Sequence, residues 1–240
     1  MRRVRLLLAL AVALAVGLIA APSASAANPG SYTFSTFQGV PYKLLSGNSH
    51  LIIPAAGATD DALFTLSRSR GGAFHLPFRL NVYGTSIGNL RVSSNGNLQF
   101  GVGSGGSAAF SNDPLPSAAF SGPTLMPFWD DLYMVPSDTS HFFREGIYTL
   151  TSGTAPHRKF YISWQGHAFS SESYLVLAEA IFTEGSSTIR FRYGTDDCQG
   201  AFTPSETIGA QRSGNWTQIV FNPPCSGLVS SGTQFTLIHH

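Results

Sequence analysis

Leu90-Arg91-Val92-Ser93-Ser94-Asn95-Gly96-Asn97-Leu98-Gln99-Phe100 is the stretch on which the fold class turns. Apolar and polar residues alternate on both sides of Ser-Asn-Gly, as in two half-buried strands joined by a tight turn. Two registers compete. A two-residue Asn95-Gly96 loop pairs Val92 with Gln99 and Arg91 with Phe100, setting apolar side chains opposite polar ones. A three-residue loop, Ser94 to Gly96, pairs Val92 with Leu98 and Leu90 with Phe100. The second keeps both apolar sets on one face. It also puts Gly96 where a type I turn plus bulge needs left-handed backbone. The second register is therefore expected.

The same period of two runs outward along the chain. Phe74, Leu76, Phe78, Leu80 and Val82 share one parity, interrupted by Pro77, which has no N–H and predicts a sheet edge or a bulge. Phe160, Ile162 and Trp164 alternate with Tyr161, Ser163 and Gln165; Ile189, Phe191 and Tyr193 alternate with Arg190 and Arg192; Phe235 and Leu237 repeat the pattern near the end. Tyr174 to Phe182 is apolar on both parities apart from Glu179, which predicts a central strand covered on both faces. A second hairpin joins that run to Thr188–Tyr193 through Glu184-Gly185-Ser186. Past the N-terminal region no window sustains an apolar stripe at helical spacing, so very little helix is expected. The pattern predicts an all-β fold, a two-sheet antiparallel β-sandwich of jelly-roll-like character. Gly101–Ser107 and Pro136–Ser140 read as exposed loops.

Residues 1–26 read as a signal peptide: Arg2, Arg3 and Arg5, then apolar Leu6 to Ala21, then the small-x-small site Ala24-Ser25-Ala26. The apolar stretch is shorter than the roughly 20 residues of a membrane span; an uncleaved anchor is the alternative. No second stretch approaches a span. Residues 27–59 read as a leading strand and linker, and 60–240 as one domain. Charged residues make up 11% of the 240, against about 25% in ordinary domains. With 43% apolar residues, that excludes a disordered tail. Three of the 14 basic residues leave with the leader, so the 13 acids outnumber those that remain. Such a surface has no electrostatic pull on nucleic acid or anionic lipid. In an exported chain the only two cysteines, Cys198 and Cys225, are expected to bond to each other. Two buried free thiols are the alternative. Asn215-Trp216-Thr217 fits a glycosylation acceptor, though an ordinary turn explains it as well.

Leu76-Pro77-Phe78, Tyr83-Gly84, Val92 to Gly101, Pro127-Phe128-Trp129-Asp130-Asp131-Leu132, Gly146-Ile147-Tyr148, Phe160 to Trp164 and Ile208-Gly209 occur in a telling order. Together they resemble nidogen-like (NIDO-type) extracellular domains, and look closest to the version in secreted bacterial proteins. The resemblance runs from about Asp60 to Ile238. It implies a β-sandwich used for adhesion, matrix contact or extracellular assembly, with no catalytic residues to carry over.

Trp129-Asp130-Asp131 is the most tempting chemical site. Adjacent carboxylates on a strand point to opposite faces, so they do not converge on one bond as glycoside hydrolysis needs. On a loop they are weak calcium candidates, without the usual Asp-x-Asp-x-Asp-Gly spacing. The plainest reading has one aspartate capping a turn while Trp129 packs in the core. Asp196-Asp197 and Asp60-Asp61 read as acidic loops, the latter at the mouth of the first core strand. Gly101 to Gly106 matches dinucleotide-loop spacing, but no helix follows to hold a phosphate. His75 and His157 fall near strand starts, His141 and His167 in loops, and no pair has zinc spacing. No Gly-x-Ser-x-Gly elbow occurs. The loop aromatics Tyr133, Phe142, Phe143 and Phe169, with Trp129, Asp130 and Asp131, are the expected partner contacts. The expected function is a secreted, non-catalytic interaction module binding an extracellular protein or glycan. No cofactor is expected; calcium is the one ion the pattern accommodates. A calcium-assisted, lectin-like carbohydrate binder is the second reading, and a secreted hydrolase the third.

Overall fold

The computed structural model describes residues 31–46, 50–52, 59–69, 74–102, 105–135, 143–195, 205–222 and 227–239. No helix occurs among them. The first strands are β1 (Tyr32–Phe37), β2 (His50–Leu51), β3 (Leu63–Ser67), β4 (Phe74–His75), β5 (Leu80–Val82) and β6 (Thr85–Ile87). Then come β7 (Asn89–Ser93), β8 (Leu98–Phe100), β9 (Thr124–Trp129), β10 (Leu132–Tyr133), β11 (Gly146–Ser152) and β12 (Lys159–Ala168). The chain ends with β13 (Ser171–Thr183), β14 (Ile189–Tyr193), β15 (Thr207–Arg212), β16 (Asn215–Phe221) and β17 (Gln234–His239).

Two sheets carry nearly all of them. The larger runs β1-β17-β14-β13-β12-β11-β2, with β10 also beside β12; the smaller runs β16-β15-β9-β8-β7-β3-β4. A separate hairpin pairs β5 with β6. Phe160, Ile162, Trp164, Phe191 and Tyr193 of the larger sheet share one core with Leu90, Val92, Leu98, Phe100 and Phe128 of the smaller. This is the expected all-β sandwich. Buried indole and phenol groups need polar partners, and here they tie the sheets together. Trp164 Nε1 donates to Ser93 O at 2.8 Å, and Tyr193 OH donates to Pro127 O at 2.7 Å.

The opening hairpin takes the three-residue register: Val92 pairs with Leu98 and Leu90 with Phe100. Ser93 N donates to Asn97 O at 2.9 Å, and Gly96 has φ 68°. The β9 backbone lies directly over that glycine, with Phe128 N donating to Gly96 O at 3.2 Å. The Phe74–Val82 run is two strands rather than one. β4 ends before Pro77 at the edge of the smaller sheet, pairing parallel to β3, and β5 resumes after it. Proline cannot donate to a ladder, and Pro77 O instead accepts from Arg68 Nη1.

β13 is central in the larger sheet, between β12 and β14, and the second hairpin turns at Gly185 as expected. Its outer face is covered by residues 38–46, which cross from β1 at one edge toward β2 at the other. Val40 N donates to Gly232 O, Arg192 Nη1 to Pro41 O, and Leu45 N to Gln165 Oε1. Gln165 Nε2 returns a bond to Leu45 O at 3.0 Å, and the Tyr42 and Ser163 hydroxyls bond each other. Gly194 lies so close under the Tyr42 ring that an added Cβ would come within 2.8 Å. Glu179 is fully buried beneath this strap. β1 and β2 thus form the two edges of the larger sheet, and residues 38–46 cross its face between them.

Candidate functional site

The acidic residues sort into one inward carboxylate and three that meet at the surface. Asp130 follows β9 and is buried. It accepts from Asp131 N at 2.9 Å and from Ser205 Oγ at 2.8 Å. Burial raises its pKa, while those two bonds pull the other way. Asp131 turns outward and meets Asp60 and Asp61, with carboxylate oxygens of the three within 4.8 Å of one another. Its pKa is pushed up to about 6, first by burial and then by the charges of Asp60, Asp61 and Asp130. Burial and the charge of Asp61 raise Asp60 as well.

The turn of the first hairpin holds this cluster together. Asn95 is fully buried. Its Nδ2 donates to Asp61 Oδ1 at 2.7 Å and to Ala108 O at 3.0 Å, and its Oδ1 accepts from Leu132 N at 3.1 Å. A short bridge between Thr59 and Met134 fixes the same two segments. Three carboxylates supply part of the six to eight oxygens that Ca²⁺ takes. The set that could hold such a cation is Asp60, Asp61 and Asp131. Asp130 is committed to Ser205 and is not part of it.

The expected aromatic contacts divide in the same way. Trp129 is fully buried and belongs to a second small core with Leu115, Phe120 and Met126. Its ring centroid lies 4.7 Å from that of Phe120, and Nε1 donates to Ala109 O at 2.8 Å. Phe143 is buried too. Neither ring is available to a partner, because each is spent filling the interior. Tyr133 is half-buried, edge-on to His167 and to Phe169 at 5.4 and 5.7 Å between ring centroids. Phe169 is 54% exposed, and its backbone N donates to Asp131 O at 2.8 Å. One exposed ring thus stands beside the carboxylate cluster. Phe142, His141, Asp196, Asp197, Cys198 and Cys225 lie outside the described residues.

His167 is not in a loop. It lies on β12, buried, with Nδ1 3.0 Å from Glu145 Oε1. Glu145 Oε2 accepts from Val135 N at 2.7 Å. The strand is longer than its apolar alternation suggests, because the Glu145 carboxylate gives a polar residue a place in the interior. Gly101 to Gly106 carries no helix after it; Ser107 instead exchanges backbone bonds with the Gln99 amide. Buried Glu145 gave no sequence signal. Glu179 gave one, as the single charge in a run apolar on both parities.

The described strands make an all-β, two-sheet sandwich. The sequence model of the family described as NIDO related matches residues 31–238, so the chain belongs to the nidogen-related family. The match begins at the first strand of the larger sheet. Searches of the curated proteins and of the solved structures return no significant match.

Proposed function

We propose that this chain is an extracellular, non-catalytic interaction module used for adhesion, matrix contact or assembly, of the kind found in secreted bacterial proteins. Residues 1–26 serve as its export signal. Membership of the nidogen-related family supports the extracellular setting. The observation that carries the contact site is the exposed Phe169 ring, propped by Tyr133 and hydrogen-bonded through its backbone to Asp131. An aromatic anchor beside a polar rim is the usual make-up of a binding hot spot. Covering such a ring contributes roughly 1.5–3 kcal/mol. The acidic rim favours a partner presenting cationic groups.

The test uses the purified chain against immobilised extracellular-matrix extract and a glycan array. Binding to matrix that falls about tenfold in Phe169→Ala, with unchanged melting, supports the site. Binding indifferent to both Phe169→Ala and Asp131→Asn overturns it. A hydrolytic activity lost in Asp131→Asn would overturn the non-catalytic reading. The three-carboxylate cluster favours calcium-assisted glycan binding as the second reading. Added calcium then raises the melting temperature, and Asp60→Asn with Asp61→Asn abolishes the rise.

A further inference from the structure

The four outer edges of the two sheets are not alike. β2 and β4 are two residues long, and β16 is set off by a register shift against β15. β1 differs from all of them. It pairs with β17 over six unbroken positions, and its other side has no strand partner among the described residues. Neither β1 nor β17 contains Lys, Arg, Asp, Glu or Pro. Those are the residues, with bulges, by which proteins normally protect a free edge.

Large apolar side chains concentrate on the same rim. Phe34 is 39% exposed, Phe37 50%, Ile238 of β17 41% and Trp216 of the adjoining β16 37%. They make up four of the seven exposed large hydrophobic residues among those described. Thr217 Oγ1 donates to Tyr32 O, which binds the first residue of β1 to the smaller sheet and leaves residues 34–37 open.

We propose that β1 is the pairing edge of a two-fold dimer, in which two copies of this chain join their larger sheets into one continuous sheet. Charge and sequence both favour a second copy as the occupant. An uncharged edge brings no like charges together when it meets itself. Tyr32 and Phe34 sit opposite His239 and Leu237 on the core side of the sheet, so Thr33, Ser35 and Phe37 face outward. A two-fold axis normal to the sheet keeps each face on its own side, so some residue must stand opposite its own copy. With Ser35 on the axis, Phe37 faces Thr33 of the partner subunit, and Phe34 faces Thr36 of the partner subunit. Every phenylalanine then meets a β-branched threonine, a favourable cross-strand pair. Moving the axis by one residue in either direction breaks both matches. Stable interfaces bury about 1,200–2,000 Å². A short ladder flanked by Phe34, Phe37, Ile238 and Trp216 from each copy is a small contact, so the dimer is concentration-dependent.

Sedimentation velocity of the full chain, from low micromolar to near-millimolar concentration, should move from monomer to dimer. Ser35→Lys sets two ammonium groups against each other at the axis. It should raise the dissociation constant at least roughly tenfold and leave the melting curve unchanged at concentrations where the wild-type chain is monomeric. Ser35→Cys should cross-link to itself on oxidation, because directly opposed residues have the spacing of a disulfide. Thr33→Cys alone should not cross-link, but should do so when mixed with Phe37→Cys; the oxidised wild-type chain is the control. A chain monomeric at every concentration overturns the proposal. So does a dimer unmoved by Ser35→Lys, or a Ser35→Cys dimer that fails to cross-link.

Discussion

Glu179 and Arg192 stand opposite each other on the β13–β14 ladder, with Oε1 3.3 Å from Nη1. Neither carboxylate oxygen has a hydrogen bond among the described residues. Burial pushes the pKa up to about 7, and the charges of Arg192 and Lys43 only partly offset it. A carboxyl group raised in the folded state holds more protons than the unfolded chain does between pH 4.5 and 7. Its stabilising contribution is therefore complete below about 4.5 and is lost as pH rises through about 7. Melting temperature should fall between pH 5 and 8. Glu179→Gln should flatten that fall and stabilise the chain at pH 8 by on the order of 2 kcal/mol. A variant melting no higher than wild type at pH 8 would contradict this account.

The strap over β13 hangs on few bonds, and Gln165 makes two of them with the Leu45 backbone. Gln165→Leu keeps the volume but leaves that buried amide and carbonyl unpaired. The expected cost is about 2–3 kcal/mol. Hydrogen exchange should accelerate at residues 40–46 and stay slow in β12. Protection unchanged at the strap would show that packing alone holds it.

Gly96 and Gly185 have nearly the same backbone, φ 68° and 72°, in different surroundings. A Cβ at Gly96 would sit 1.7 Å from Phe128 O, whereas one at Gly185 meets nothing within 4 Å. Gly185→Ala should cost only the left-handed conformation, about 1–2 kcal/mol. Gly96→Ala must also force β9 away from the hairpin, and the chain should lose its cooperative urea transition. Equal costs at the two sites would mean that the β9 contact is unimportant.

Asn95→Asp is nearly isosteric and tests the clamp on the acidic loops. It replaces the donor to Asp61 with a like charge and orphans Ala108 O. Destabilisation should exceed the roughly 1–3 kcal/mol of a lost buried bond, and should be partly relieved below pH 4. Asn95→Ala, which adds no charge, should show no such relief. Matching pH profiles for the two variants would exclude a role for charge.

The parts of the sandwich legible in sequence are those whose causes are local. The Leu90–Phe100 register follows from parity and one left-handed glycine. The central place of β13 follows from apolar residues on both parities. The strap that covers it was not legible, because Tyr42 and Leu45 find Ser163 and Gln165 some 120 positions away. The candidate site fails to read for the same reason. Asp131 meets Asp60 and Asp61 only because Asn95 and the Thr59–Met134 bridge bring those segments together. Phe143 looks like a surface contact when its segment is read as a loop and becomes interior once the sheets close, whereas Trp129 packs in the core as the plainest reading of Trp129-Asp130-Asp131 has it. Pro77 declared a break, but the return of the chain as a separate β5–β6 hairpin depends on room that only the assembled sandwich provides.

β17 lies between β1 and β14, so the last of the described strands separates the first from the rest of its sheet. Tyr32–Phe37 has no ladder partner in its own sheet until residues 234–239 have left the ribosome. Closure of the larger sheet thus waits on residues 234–239, and any stop codon ahead of Gln234 strands the amino-terminal segment as an open, aggregation-prone ribbon.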